Sequence, residues 1–186
     1  MSAIVNINGR ICPEQEAVVS VFDHGFLFGE GVYEVLRTYG RQLFLFEAHQ
    51  RRLRESAQQI GLDVPLGDAE ILARIRATID ALGTPGEVYV RLLLTRGAGE
   101  FSYDPRVCPA PTLVIIVKPF TPPPAHIYDH GVTIALVDVV RNHPRSVDPR
   151  IKSNNLLNNA LAAQQALARG AFEALMRNYR GEIAEA

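Results

Sequence analysis

Pro119-Phe120-Thr121-Pro122-Pro123-Pro124 divides this chain. Three consecutive prolines offer no backbone N–H to a strand ladder, and their fixed φ favours an extended polyproline segment. This is the strongest boundary in the sequence, so residues 119–127 read as a linker between an N-terminal domain at 1–118 and a second domain at 128–186.

The pattern on either side is mixed. Residues 4–7 and 10–12 flank Asn8-Gly9, a hairpin signal because that turn needs positive φ at both central positions. Residues 33–39 and 42–46 alternate around Gly40-Arg41 as a second hairpin. Helices are expected at 47–60, with Leu53, Ala57 and Ile60 on one face, and at 68–82, with Ile71, Leu72, Ile75, Ile79 and Leu82. Gly61 and Gly83 stop them. Residues 87–95 and 112–118 are β-prone. Beyond the linker a strand is expected at 132–140, an alanine-rich helix at 153–169, and strands at 172–178 and 182–186. The class is therefore α/β (α+β) in two domains. A second domain of about 60 residues that stops inside a strand is marginal alone, which makes a fragment the expectation.

Of the 186 residues 47% are hydrophobic and 21% charged, ordinary values for a globular chain. A formal charge of −1 provides no field to draw nucleic acid or an anionic membrane, and neither is expected as a partner. No signal peptide and no apolar run of about 18 residues is found. Cys12 and Cys108 lie far apart, without CxxC spacing or a histidine cluster, and read as reduced thiols of a cytoplasmic protein with no metal site.

Lysine is scarce. Only Lys118 and Lys152 occur among 19 basic residues. Arginine serves a surface equally well but cannot form a Schiff base with an aldehyde, whereas a primary amine can. Lys152 lies in Arg150-Ile151-Lys152-Ser153-Asn154-Asn155-Leu156-Leu157, at the expected mouth of the alanine-rich helix. Three further segments accompany it: the Gly-rich run from Phe22 to Glu34, His49-Gln50-Arg51-Arg52-Leu53, and Gly181-Glu182-Ile183-Ala184-Glu185.

In this order the four segments resemble the fold-type IV (class IV) pyridoxal-phosphate enzymes, over essentially the whole chain. That family contains branched-chain and D-amino-acid aminotransferases and aminodeoxychorismate lyase. The resemblance implies pyridoxal 5'-phosphate as cofactor, Lys152 as the Schiff-base lysine and proton carrier, Arg52 as the phosphate-binding arginine, and Glu185 as the partner of the ring nitrogen. It places Tyr33, Tyr89 and Arg91 on the substrate side. Arg91 sits inside an apolar run, where an unpaired charge is costly, so a partner such as a carboxylate is expected, belonging either to the substrate or to the protein. Asn154, Asn155, Asn158 and Asn159 open the expected helix as a polar wall, with capping the simpler account for Asn154 or Asn155.

The resemblance further implies transamination between an amino acid and a 2-oxo acid such as 2-oxoglutarate, in a homodimer. Arg96-Gly97-Ala98-Gly99-Glu100-Phe101-Ser102-Tyr103 lacks the R-x-H of the D-specific enzymes, and Tyr89-Val90-Arg91 is similar to the branched-chain Y-x-R. Against that, Leu157 replaces a tyrosine found at this helix position in some branched-chain enzymes, and Ile151-Lys152-Ser153 is similar to the D-specific group. Branched-chain donors are favoured; a D-amino-acid aminotransferase or a lyase is the alternative. Family members continue for roughly half this length again, through a G-[IV]-T-R-like phosphate segment. The resemblance thus implies a complete N-terminal α/β domain, a partial β-barrel-like second domain and a weakly active or inactive chain. A non-catalytic dimerisation or binding module is the alternative of another class.

Overall fold

The computed structural model describes residues 3–185 and contains two compact units. The first runs to Phe120 and takes in Ile151–Asn154; the second comprises Thr121–Arg150 and the chain from Asn155 onward. Lys152 therefore belongs with the first unit, although it follows the proline-rich run in sequence.

The first unit is a six-stranded sheet under two helices. In chain order it contains β1 (Ile4–Ile7), β2 (Arg10–Pro13), α1 (His24–Leu27), β3 (Gly31–Tyr39), β4 (Gln42–Leu43), α2 (Phe46–Gln59), α3 (Asp68–Leu82), β5 (Val88–Thr95) and β6 (Thr112–Pro119). The strand order is β2-β1-β6-β5-β3-β4, with every neighbouring pair antiparallel. Asn8 and Gly9 take φ of 52° and 98°, and Gly40 and Arg41 take 55° and 62°, the positive values that both expected hairpins need.

Strand alternation splits the sheet into two faces. Val88, Val90, Leu92 and Leu94 of β5 and Val32 and Leu36 of β3 pack against Leu53 of α2 and Ile71 and Ile75 of α3. Each such side chain contributes roughly 1.5–3 kcal/mol when fully buried. Tyr33, Tyr89, Arg91, Leu93 and Thr95 point to the other face and stay only partly covered.

Two expectations shift. The second hairpin strand stops at Leu43, not at 46, because Leu45 is left-handed (φ 51°) and Phe46 already begins α2. The asparagine-rich helix starts at Leu157, not at 153, because Ser153 and Asn154 bond to β3 instead of turning helically.

The second unit comprises α4 (Ala125–His130), β7 (Ile134–Val140), α5 (Leu157–Ala168), β8 (Glu173–Arg177) and β9 (Ile183–Glu185). The short α4 follows the prolines directly, beginning inside the segment expected to be linker and running three residues past it. β7 pairs parallel with β8 through the crossover helix α5, and β9 pairs antiparallel with β8. Ala162 and Ala166 let α5 lie close on Val137, Ala174 and Met176. The last expected strand included Ala186, which lies outside the described residues. Among the described residues no helix is long and apolar enough to cross a membrane.

Candidate functional site

β3 has a free edge from Gly31 to Tyr33, because β4 pairs only with Thr38 and Tyr39. The lysine segment fills that edge. Tyr33 N donates to Lys152 O and Asn154 N donates to Gly31 O, each at 2.9 Å, with Ser153 bridged to Val32. Gly31 permits the approach: a Cβ there would lie 2.6 Å from Asn154 Nδ2 and 2.8 Å from Leu94 O. Lys152 N also donates to Ser56 Oγ (3.2 Å), which is buried on α2 one turn beyond Arg52. The lysine backbone is thus held from two sides, and its Nζ lies 4.5 Å from the Tyr33 ring centroid.

Arg91 shares that ring, with Cζ 4.3 Å from the centroid. Of the two sources expected for a carboxylate beside Arg91, the protein supplies none among the described residues. Among the described residues neither Arg91 nor Lys152 forms an ion pair. Alternation puts Arg91 on the open face of β5, where an aromatic ring and solvent replace a counter-ion. Two cations around one ring without a carboxylate form a place that attracts an anion.

Arg52 is differently engaged. Its Nε donates to Glu34 Oε1 at 2.5 Å and its NH2 to Glu34 Oε2 at 2.6 Å, while His49 Nδ1 lies 2.7 Å from Oε2. A carboxylate only accepts, so His49 carries its proton on Nδ1 here. Glu34 has no exposed side-chain surface, and Arg52 is 49% exposed. Burial pushes the Glu34 carboxyl up, but the bonds and charges of Arg52 and His49 outweigh it and hold it below its ordinary value. The Glu34 carboxylate in turn raises the Arg52 guanidinium. Sequence reading passed over Glu34 as a member of a signature. The available signal was its phase: Val32-Glu34-Leu36 puts a carboxylate on the packed face, where it needs cations.

This clamp sets an acid limit. A carboxylate depressed in the folded state adds stability above its unfolded pKa of about 4.3, and that stability is lost as pH falls through the folded value. Urea midpoints are expected to hold from pH 7 to about 5 and then to drop more steeply for the native chain than for Glu34→Gln. Parallel curves would remove Glu34 from the acid transition.

Tyr89 lies one same-face step beyond Arg91, and its ring contacts Lys118 Nζ at 5.0 Å. In the second unit Glu185 Oε2 lies 3.0 Å from Arg141 Nε as an ion pair, and Arg141 NH1 donates to Asn158 and Asn159 Oδ1 at 3.2 and 3.1 Å. These two asparagines therefore serve Arg141; the residue that caps α5 is Leu156, without a side-chain bond, so the cap expected of Asn154 or Asn155 is not formed. On the open face of the first unit, Leu93, Val114 and Ile116 floor a cleft of about 380 Å³ that Arg91 and Asn154 also line. Asn154 Oδ1 is buried there with no hydrogen-bond partner.

Comparison with known proteins decides the family. The model of amino-transferase class IV matches residues 31–186. The chain belongs to the class IV aminotransferase family. It is 35% identical over 97% of its length to a Methanocaldococcus jannaschii protein provisionally named branched-chain-amino-acid aminotransferase. Identity to a D-alanine aminotransferase of Staphylococcus aureus is 34% over 95% of the chain. Among solved structures, the branched-chain aminotransferase of Thermoproteus uzoniensis with norvaline superposes with a TM-score of 0.88 at 33% identity, covering all of this chain. The mixed α/β fold is thus that of the family. This chain spans 62%, 60% and 63% of those three proteins, respectively.

Proposed function

We propose that this protein is a pyridoxal-phosphate-dependent aminotransferase acting on branched-chain-like amino acids, with a 2-oxo acid such as 2-oxoglutarate as amine acceptor. The observation that carries the reading is Lys152: a primary amine fixed by its backbone to β3 and α2, beside an aromatic ring and a guanidinium, with no counter-ion among the described residues.

The donor set fits the cofactor. Arg52 keeps both NH1 protons and one NH2 proton clear of Glu34, a fork that matches a phosphate. Lys152 supplies the amine for covalent attachment, and its Nζ moves the proton to and from the substrate Cα. The cofactor, when bound, supplies an aldehyde and a ring that accepts electrons. Arg91 binds the substrate carboxylate, with Tyr33 holding the guanidinium in place. Tyr89 borders the same face. Glu185, kept beside Arg141, is assigned to the ring nitrogen on the strength of the 181–185 signature. Leu93, Val114 and Ile116 give the neighbouring cleft an apolar floor suited to an aliphatic side chain.

A D-amino-acid reading draws on the 34% identity to the staphylococcal D-alanine enzyme. Spectral conversion of the cofactor-loaded protein by L-leucine and not by D-alanine is expected; the reverse would select the D-reading. Phe26, Phe101 and Tyr103 are 70%, 74% and 87% exposed, which supports a homodimer. Sedimentation velocity is expected to give twice the chain mass. Two free thiols, Cys12 and Cys108, agree with a cytoplasmic setting.

The deciding experiment is borohydride reduction after incubation with pyridoxal phosphate, followed by peptide mass mapping. A phosphopyridoxyl adduct concentrated on Lys152, with Lys118 unmodified, is the expected result. Labelling spread over Lys118 and the N-terminus would defeat the reading.

A further inference from the structure

We propose that Glu34 is a positioning residue that turns Arg52 into a preformed receptor for a phosphate monoester. The inference rests on the proposed phosphate role of Arg52 and adds what aims it.

A guanidinium has five N–H donors in two bidentate edges. Glu34 takes the Nε/NH2 edge with both of its oxygens, and His49 holds Oε2 from the other side. Two charge-assisted bonds fix the Arg52 side chain, which would otherwise sample many rotamers, and a third from His49 fixes the carboxylate they rest on. Glu34 is fully buried and Arg52 is half exposed, so the pair straddles the rim of the core with the NH1/NH2 edge outermost.

Stability alone does not account for a glutamate here. Its same-face neighbours on β3, Val32 and Leu36, are buried apolar residues. An apolar residue in place of a buried ionic group commonly serves a fold as well or better. What the carboxylate adds is direction. It also keeps Arg52 from folding back over Tyr33 and Lys152, whose backbone is tied to Ser56 one turn along the same helix. One helix thereby fixes both the phosphate receptor and the lysine.

The test compares two probes on the full chain, pyridoxal 5'-phosphate and pyridoxal, by equilibrium absorbance titration. Both can react at Lys152, but only one carries phosphate. Glu34→Gln removes the charge. Glu34→Asp keeps the ion pair but withdraws Arg52 by one methylene, and it serves if the glutamine variant does not fold. Each is expected to lower the preference for the phosphorylated probe at least about tenfold, the worth of one misplaced charge-assisted bond, with pyridoxal affinity unchanged. A preference equal to that of the native chain, or equal losses for both probes, overturns the proposal. Arg52→Gln separates the two claims. If it abolishes the preference while the Glu34 variants retain it, positioning alone falls. If it too leaves the preference intact, the phosphate role of Arg52 falls and the proposal with it.

Discussion

Arginine at position 152 is expected to preserve the fold and abolish the covalent chemistry. Lys152 is held by its backbone, through Tyr33 N and Ser56 Oγ, and neither bond depends on the side chain. Its amine meets the Tyr33 ring, a contact that a guanidinium makes as well. Stability should therefore change by no more than about 0.5 kcal/mol, the range of a surface substitution. The phosphopyridoxyl adduct should disappear, and transamination by the loaded protein should fall by about 100- to 10,000-fold, the contribution of a positioned proton carrier. A guanidinium remains protonated at every pH a protein survives, so it cannot shuttle a proton at Cα. Retained label elsewhere together with retained transamination would assign the chemistry to another amine.

The sequence was most legible where local chemistry decides structure. Asn8-Gly9 and Gly40-Arg41 turn as their φ requirements demand, and α3 occupies residues 68–82 as its apolar spacing indicates. It was least legible where a distant edge outbid a local preference. Residues 153–156 read as the start of a helix, yet the open edge of β3 offers hydrogen bonds that a helix start would leave to caps. Local patterns do not announce such a pairing across more than a hundred residues. Arg91 shows the same limit from the electrostatic side. The apolar run called for a carboxylate from substrate or protein without saying which, and period-two alternation placed the guanidinium on the open face beside an aromatic ring, with no protein carboxylate paired to it among the described residues. Conversely, Glu34 was a buried ion pair waiting to be read from the phase of β3. The site is assembled from sheet edge, helix face and a returning segment, and only the residue types were visible beforehand.

Gly31→Ala is expected to damage the site out of proportion to the fold. The added methyl would meet Asn154 Nδ2 at 2.6 Å, Leu94 O at 2.8 Å and Thr95 Cα at 3.2 Å. The last two belong to β5, which is paired with β3 along seven residue pairs and yields little. Asn154 is the movable neighbour, so the lysine segment gives way first. Breaking its bonds to Gly31 O and Tyr33 N releases Lys152 from β3, at an overall cost of about 1–3 kcal/mol for overpacking. Gly83→Ala is the matched control. Gly83 ends α3 with φ of 67° and open space around it, so alanine there costs about 1 kcal/mol of backbone strain far from the lysine. Urea midpoints and borohydride-trapped label are then compared in the two variants. Label at Lys152 should fall at least about tenfold in Gly31→Ala, as expected when hydrogen bonds fixing a reactive group are lost, and stay near native in Gly83→Ala. Equal labelling in both would mean that the β3 edge carries the segment without orienting its amine.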